Sequence, residues 1–420
     1  MKNWLLLFIL FAEQLSAQTI DRLTLGQAYE LAQRNYPVIK QKDFVKQTES
    51  LTIENLQKGY LPQVTVNGQA TYQSDVTEID VSFSGFKFEA PAKDQYKVFA
   101  DVNQVVYDGG VIQEQKKAAR LNAEVEDQKV EVELYKLKDR INQIYLGILF
   151  LDEQIKQTDI LREDVEVGIK QVDAQVKNGV ALKSNLNVLK AQLLQTDQRV
   201  IELKATRKGF IETLGLFLNQ SLNETTVFDK PVVNDVAVAG ISRPELKLYD
   251  NQSTLIEQQN KLITARNLPK ASLFAQGGYG RPALNLLKND FDWFYIAGVR
   301  LNWPLGGLYT IKKEKQLNEV NKKMVDVQRE TFLLNTNTQL KQQQSEIEKI
   351  NQLIETDKGI IDLRLQVKDA ARAQLQNGVI TANDYLREVN AEDQARQALI
   401  THQLQLLQAQ INYQTTLGKQ

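Results

Sequence analysis

The chain has 420 residues and a formal net charge of −1, enough length for two or three ordinary domains. A charge this close to zero argues against a nucleic-acid partner held by bulk electrostatics. Cysteine is absent and His402 is the single histidine, which excludes disulfides, thiolate metal sites and a cysteine nucleophile. Nothing around His402 suggests a nucleophile–histidine pair, and we interpret it as a solvated helix residue. The sequence therefore predicts a protein that is not an enzyme and needs no metal or cofactor.

Residues 1–17 resemble an export signal. Lys2 provides a positive start, the apolar run Trp4–Ala12 follows, and Leu15-Ser16-Ala17 resembles a cleavage site. The apolar run is far shorter than the roughly 20 residues that a membrane-spanning helix needs. A buried N-terminal helix is the alternative. We predict export across an inner membrane with cleavage after Ala17.

A first structural repeat is predicted over residues 18–218. It reads as a helix over 24–58, strands over 63–72 and 97–107, and a coiled-coil hairpin over 111–217 whose second helix begins near 185. The long helix carries an apolar stripe with alternating steps of three and four residues. Its members are Leu134, Leu137, Ile141, Ile144, Ile148, Leu151 and Ile155.

A linker over residues 219–241 and a second repeat over 242–420 follow. The second repeat contains a helix over 243–267, strands over 271–279 and 291–303, and a coiled-coil hairpin over 308–417. "LPQVTVNGQATY" from Leu61 returns in altered form as "LPKASLFAQGGY" from Leu268. The turn Asn178–Val180 returns 199 residues later as Asn377–Val379. Matching anchors in the same order indicate a tandem duplication.

The four strands alternate apolar and polar side chains and are near the roughly 9–11 residues that a tilted membrane strand needs. Thr65, Asn67, Gln69 and Arg300 are among the polar positions, which we expect to line a pore. Half-buried hairpins of a soluble domain are the alternative. Aromatic residues at strand ends, the export signal and the polar second face favour a membrane β-barrel. Four strands cannot close a barrel, so several chains must contribute, and three copies would give twelve strands.

The duplicated helix–strand–strand–helix plan resembles the TolC-type outer-membrane efflux proteins, also called outer membrane factors. The shared features are the Leu-Pro before each first strand, Gly109-Gly110 and Gly306-Gly307 after each second strand, and a glycine six residues before Asp384. The resemblance implies a mainly α-helical homotrimer with a shared 12-stranded β-barrel in the outer membrane. A long α-helical barrel would cross the periplasm of a Gram-negative type envelope.

By the same resemblance, the protein would be the exit duct of a tripartite efflux pump or secretion system. Its partners would be a periplasmic adaptor, an inner-membrane transporter and outer-membrane lipid, with no nucleic acid. A periplasmic coiled-coil scaffold or adaptor that never enters the membrane is the alternative. Adaptors usually carry one helical hairpin flanked by β-rich domains, whereas this chain has two hairpins and membrane-length strands.

Two groups of candidate site residues follow from the resemblance. The first is an adaptor-docking tip at the two turns, formed by Asn178, Gly179, Val180, Asn377, Gly378 and Val379. The second is a periplasmic gate at Asp384, where the family has a constriction ring. Asn185 occupies the equivalent position of the first repeat, and Arg387 stands where the family has a second acidic residue. From the residues alone, the turns are helix C-caps, and Thr381 with Asp384 is a helix N-cap.

Overall fold

The structure is a computed structural model that describes residues 20–77, 90–233, 240–285 and 288–419. The predicted export signal and its cleavage after Ala17 lie outside these residues. The chain divides into two compact units. The first, the helical unit, comprises the chain up to Lys40 with Val130–Pro244 and Phe332–Gln420. The second, the sheet unit, comprises Gln41–Lys129 and Glu245–Thr331.

The described residues form helices and strands in nearly the predicted order, and the predicted bounds of the long elements agree within three residues. The helices are α1 (Leu25–Asn35), α2 (Gln41–Gln57), α3 (Val111–Lys177), α4 (Lys183–Leu218), α5 (Pro244–Arg266), α6 (Ile311–Gln376) and α7 (Ala382–Leu417). The strands are β1 (Arg22–Leu23), β2 (Gln63–Tyr72), β3 (Asp94–Tyr107), β4 (Val227–Phe228), β5 (Lys270–Arg281) and β6 (Asp292–Asn302).

The helix predicted over 24–58 is broken at Pro37, which corrects the sequence-based expectation. Thr24 caps α1 with Gln27 in a capping box, and α1 ends at Asn35. Tyr36 is extended (φ −66°, ψ 128°), because a proline disfavours the helical conformation of the residue before it. One turn of 3₁₀-helix over Pro37–Lys40 then leads into α2.

The helical unit has its largest core where α1, α3, α4 and α7 meet. Ile141 and Ile148 of the predicted stripe are completely buried there, together with Tyr145. The short strands β1 and β4, which were not predicted, pair in parallel beside this core. The Tyr145 hydroxyl donates to the main-chain oxygens of Leu23 at 2.7 Å and Asp229 at 2.9 Å. It therefore ties β1 and the residue that follows β4 to α3.

A second apolar cluster of the helical unit lies where α3, α4, α6 and α7 approach their shared turns. Leu189, Tyr385 and Val389 are fully enclosed in it. No helix among the described residues combines the length and the apolar character that a membrane span requires.

The sheet unit contains a four-stranded antiparallel sheet in the order β2–β3–β5–β6. Strands β3 and β5, one from each predicted repeat, pair in its centre, while β2 and β6 form its edges. The helical segments join the strands at one end of the sheet, and the two hairpin connections lie at the other end.

Candidate functional site

One face of the four-stranded sheet is apolar from edge to edge. The backbone register places Val66, Ala100, Gly277 and Tyr295 in one row across all four strands. Leu273 and Tyr279 of β5 are 49% and 43% exposed on this face. Eight apolar side chains of β2, β3 and β6 on it are 61–82% exposed, namely Val64, Val66, Tyr72, Val98, Trp293, Tyr295, Val299 and Leu301. An apolar surface of this extent is unusual on a protein that stays in water, and it indicates contact with lipid or protein.

Aromatic side chains lie at both ends of the apolar face. At the hairpin end, the Tyr279 ring lies 5.3 Å from that of Trp293 and 5.7 Å from that of Phe291. The Arg281 guanidinium stacks on Phe291 at 5.3 Å. At the helix end, Tyr107 and Trp303 are exposed. Two aromatic bands that flank an apolar strip are typical of membrane barrels.

The opposite face is polar along β2 but not in the middle of the sheet, which corrects the expectation of a uniformly polar face. Phe99, Phe274 and Phe294 lie on it. Phe99 and Phe294 flank Gly278, and Phe274 covers Gly298. The Arg300 guanidinium lies 4.6 Å above the Phe274 ring. The glycines leave room for rings to lie across their strands, an arrangement that strict alternation does not reveal.

The two predicted tip turns have the same backbone structure. Gly179 and Gly378 are left-handed, with φ of 76° and 70°. In both turns the glycine N–H donates to the carbonyl three residues back, at 3.0 and 3.1 Å. The following valine N–H donates to the carbonyl five residues back, at 2.9 Å. These bonds form the Schellman C-cap, which confirms the local prediction.

The turns present apolar side chains to solvent and are joined to each other. Val180 is 76% exposed and Val379 is 70% exposed. The side-chain amide of Gln175 crosses from α3 to donate to the main-chain oxygen of Leu375 at 2.7 Å. The two turns therefore form one continuous surface of the helical unit.

Asp384 is part of the N-cap of α7, as predicted. Its carboxylate accepts from the Thr381 hydroxyl at 2.7 Å and from the Thr381 N–H at 3.2 Å. These bonds lower the pKa of Asp384, and the charge of Arg387 lowers it slightly further. The Arg387 guanidinium donates to the Glu388 carboxylate at 3.1 Å. The hydrogen bonds of the Asp384 carboxylate are those with Thr381 of the cap.

The equivalent turn of the first repeat lacks this cap. Leu182 occupies the N-cap position of α4 and makes no side-chain cap. The Asn185 N–H donates to the main-chain oxygen of Leu182 at 3.0 Å. The repeats therefore differ in charge at this level, with one carboxylate in the second repeat and an amide in the first.

A buried ionic network between α3, α6 and α7 was not predicted. The Lys368 ammonium lies 2.7 Å from the Asp164 carboxylate and 3.3 Å from that of Glu392. Arg372 binds Asp164 at 2.5 Å, and Arg396 binds Glu392. The side chains of Lys368 and Glu392 are 6% and 2% exposed. The network joins α3 of the first hairpin to α6 and α7 of the second hairpin, within the helices that lead to the tip turns.

One feature of the sequence indicates buried polar contacts between these helices. Apolar residues of α7 follow a stripe through Leu386, Val389 and Ile400, and Asp393 falls on that stripe where an apolar residue is expected. Asp393 is 5% exposed and accepts from Gln157 at 3.0 Å. A charged residue on an apolar stripe indicates a buried polar partner from another helix.

His402 is half-buried rather than solvated, which corrects the sequence interpretation. Its Nδ1 lies 2.5 Å from the Asp357 carboxylate on α6. Within residues 20–77, 90–233, 240–285 and 288–419, no group of three or more histidine or acidic side chains is arranged to hold a metal ion. The histidine therefore joins α7 to α6.

Comparison with solved structures identifies the fold. The outer-membrane channel OprN superimposes with a TM-score of 0.66 at 14% identity, covering 94% of this chain and 90% of that chain. The outer membrane protein VceC from Vibrio cholerae gives 0.66 at 14%, covering 94% and 96%. The Campylobacter jejuni CmeC outer membrane channel gives 0.63 at 14%, covering 94% and 85%.

Neither a protein-family model nor a curated protein sequence matches the chain. The likeness to these channels extends over nearly all of this chain and most of each of theirs. The predicted resemblance to outer membrane factors is therefore confirmed at the level of the fold.

Proposed function

We propose that the chain is a transport channel of the outer membrane without enzymatic activity. The apolar sheet face carries the proposal, because it is exposed on all four strands and bounded by aromatic side chains at both ends. Moving this face into hydrocarbon gains about 25 cal/mol for each Å² removed from water. The helices leave the opposite end from the hairpins, so they would lie in the periplasm and the hairpins outside.

We infer that further copies of the chain pair with the two open edges of the sheet. An edge strand in lipid leaves a row of unpaired main-chain groups, each costing several kcal/mol. Pairing β6 of one copy with β2 of the next satisfies both edges when the ring closes. Three copies give a 12-stranded barrel above a long α-helical barrel, which agrees with the predicted homotrimer.

Helices next to the two edges carry exposed apolar stripes that would meet in such a ring. Helix α2 leads into β2 and exposes Phe44 and Leu51, seven residues apart. Helix α6 follows β6, and its exposed residues are spaced by three and four: Leu317, Val320, Met324 and Val327. Heptad spacing is typical of helix–helix contacts. We therefore place α6 of one copy against α2 of its neighbour.

Fractionation and mass measurement test this proposal together. We expect the protein in the outer-membrane pellet after carbonate washing, and light scattering in detergent should give three times the chain mass. Intact mass of the extracted protein checks cleavage after Ala17. Recovery in the soluble periplasmic fraction would support the scaffold alternative, and a stable folded monomer in detergent would refute the shared barrel.

We further propose that the channel is the exit duct of a tripartite efflux pump or secretion system. The helical tip would dock a periplasmic adaptor, which connects the duct to an inner-membrane transporter. The exposed valines at the ordered turns support this role, because they offer apolar contacts on a rigid backbone. Asn178, Gly179 and Val180 of the first turn and Asn377, Gly378 and Val379 of the second would make the contact.

Proline at the turn glycines tests the docking. Gly179 and Gly378 have φ near +70°, whereas proline requires about −65°, so Gly179→Pro or Gly378→Pro should distort the tip. We expect both variants to insert into the membrane and lose efflux. Gly359→Ala is the control, because Gly359 lies within α6 with open space around it. Normal efflux by the double proline variant would refute docking at the turns.

The gate proposal concerns Asp384, Arg387 and Asn185. If threefold symmetry brings the capped ends of α7 to the axis, three Asp384 carboxylates face one another and repel. Arg387 lies one helical turn later and would reduce that repulsion. Arg387→Glu should then open the tip and strengthen cation preference. Asn185 keeps the equivalent positions of the first repeats uncharged.

Single-channel recording distinguishes a role of Asp384 in the gate from its role in the helix cap. Asp384→Asn removes the charge but keeps an oxygen that can accept from Thr381, whereas Asp384→Ala removes both. If the charge forms the gate, both variants raise conductance and weaken block by multivalent cations. Unchanged conductance and ion selectivity in Asp384→Asn and Arg387→Glu would reduce Asp384 to a cap.

A further inference from the structure

The helical unit contains a cavity of about 450 Å³ beside the C-terminal end of α7. Its walls combine apolar side chains, represented by Leu25, Val233 and Ile411, with the amides of Gln33 and Gln414. Tyr29 and Lys138 also line it, together with Glu30 and Lys419, which carry opposite charges. A volume of this size is typical of small-molecule sites, which run from roughly 300 to 1,000 Å³.

The ammonium group of Lys138 has no hydrogen-bond acceptor in the part of the chain that the structure describes. Lys138 is only 4% exposed, and its Nζ lies 5.2 Å from the centre of the Tyr29 ring and 4.8 Å from that of Tyr135. Two ring faces attract a cation but supply no lone pair. A buried ammonium that lines a cavity is therefore left with its donors unused.

The charged group that acts on the pKa of Lys138 is a second cation, Arg243. The Arg243 guanidinium lies 4.7 Å from the centre of the Tyr135 ring, which Lys138 also approaches. Burial lowers the pKa of Lys138, and the charge of Arg243 lowers it further. The nearby main-chain oxygen of Thr415 already accepts from the Tyr135 hydroxyl at 2.6 Å and from Arg243 at 3.4 Å.

We propose that this cavity binds a small organic carboxylate, whose oxygens accept hydrogen bonds from the Lys138 ammonium and whose apolar body lies against Leu25, Val233 and Ile411. A carboxylate supplies the lone pairs that the Lys138 ammonium lacks and places a negative charge beside it. A single buried ammonium and walls of which about half the surface is apolar suit a monovalent ligand with an apolar body better than phosphate. Such a site, within the helical unit and apart from the tip and the sheet, would bind its ligand whether or not the chain is a channel.

Isothermal titration of the purified full-length protein in detergent tests the proposal with benzoate, benzyl alcohol and inorganic phosphate as probes. We expect benzoate to bind at one site per chain, and benzyl alcohol and phosphate to bind at least about tenfold more weakly, because only benzoate combines the charge with an apolar body. Lys138→Met should weaken benzoate binding by at least about tenfold. Lys136→Met is the control, since Lys136 is exposed on the same helix and pairs with Glu133.

Thermal melting provides a second readout that does not depend on the variant having native stability. Saturating benzoate should raise the melting temperature of the wild type and of Lys136→Met but not of Lys138→Met. No benzoate binding to the wild type would overturn the proposal, as would equal affinity for benzyl alcohol. If a carboxylate of a neighbouring copy occupied the cavity, the wild type would not bind benzoate.

Discussion

Glu392 is a buried carboxylate of the helical unit that binds two cations. It is 1% exposed and binds both Lys368 and Arg396. Glu392→Ala should lower the free energy of unfolding by up to about 3 kcal/mol, because it leaves Lys368, Arg372 and Arg396 with Asp164 as the one remaining carboxylate of the network. Chemical denaturation of the detergent-solubilised protein measures the change.

Glu346→Ala is the matched control for this substitution. Glu346 pairs with Lys349 on the same helix at 2.6 Å, but both side chains are about half exposed. Exposed pairs of this kind contribute about 0–1 kcal/mol, so we expect a small effect. Equal losses in the two variants would show that the buried network has no special role in stability.

Asp393 makes stability depend on pH. Burial raises the pKa of its carboxyl group above the ordinary value of 3.8, although Gln157 and Arg199 oppose the shift. The folded chain therefore holds the proton more tightly than the unfolded chain. Stability from this group is greatest below the ordinary pKa and falls as pH rises through the raised one.

Asp393→Asn should remove this dependence, because the amide does not titrate. We expect the melting temperature of the variant, relative to the wild type, to rise with pH across the window above the ordinary pKa. Asp362→Asn, at an exposed position of α6, is the control and should leave the pH profile unchanged. Parallel profiles for Asp393→Asn and the wild type would contradict the prediction.

The helices and strands could largely be predicted, because their apolar side chains recur at a regular spacing over many residues. The stripe from Leu134 to Ile155 specified α3, and strict alternation specified β2 to its exact bounds. The break at Pro37 could have been predicted from the proline alone. Strands β1 and β4 could not, since two residues carry no period and the two strands lie more than 200 residues apart in the sequence.

Gly278 is required by the packing of the sheet, whereas its neighbour Gly277 is not. A Cβ at Gly278 would lie 2.5 Å from the Phe99 Cβ and would also meet the main-chain oxygen of Val98. A Cβ at Gly277 would lie 3.8 Å from its nearest neighbour, the Phe294 oxygen. Gly278→Ala should therefore weaken the pairing of β3 with β5, and Gly277→Ala should be tolerated.

Heat-dependent gel mobility of the proposed trimer measures this difference. We expect Gly278→Ala to dissociate at a lower temperature than Gly277→Ala and the wild type. The two substitutions add the same methyl group to opposite faces of one strand, so intrinsic strand propensity cancels between them. Identical dissociation temperatures would show that the close approach at Gly278 relaxes at no cost.

The order and type of the elements could be predicted from the sequence, but the partners of individual side chains could not. Period and duplication led to the fold that the solved channels share over 94% of the chain. The ion network around Lys368 and the phenylalanine rings over Gly278 and Gly298 were not foreseen. Both depend on residues brought together from different helices or strands, which a one-dimensional pattern does not pair.

Membrane insertion is tested by adding the same charge to the two faces of one strand. Val66 and Asn67 are neighbours in the middle of β2, and both are exposed in the single chain. Val66→Arg would place a cation on the apolar face, at a cost of about 2–4 kcal/mol near the middle of a bilayer. Asn67→Arg would place it on the polar face, where a water-filled lumen would solvate it.

We therefore expect Val66→Arg to reduce insertion into the outer membrane and Asn67→Arg to leave it near the wild-type level. Quantitative blotting of carbonate-washed membranes measures both, and secretion into the periplasm is followed in parallel to separate export from insertion. A water-soluble scaffold would tolerate arginine equally on either exposed face. Equal recovery of the two variants in the membrane would thus contradict contact between the apolar sheet face and lipid, on which the proposed channel function depends.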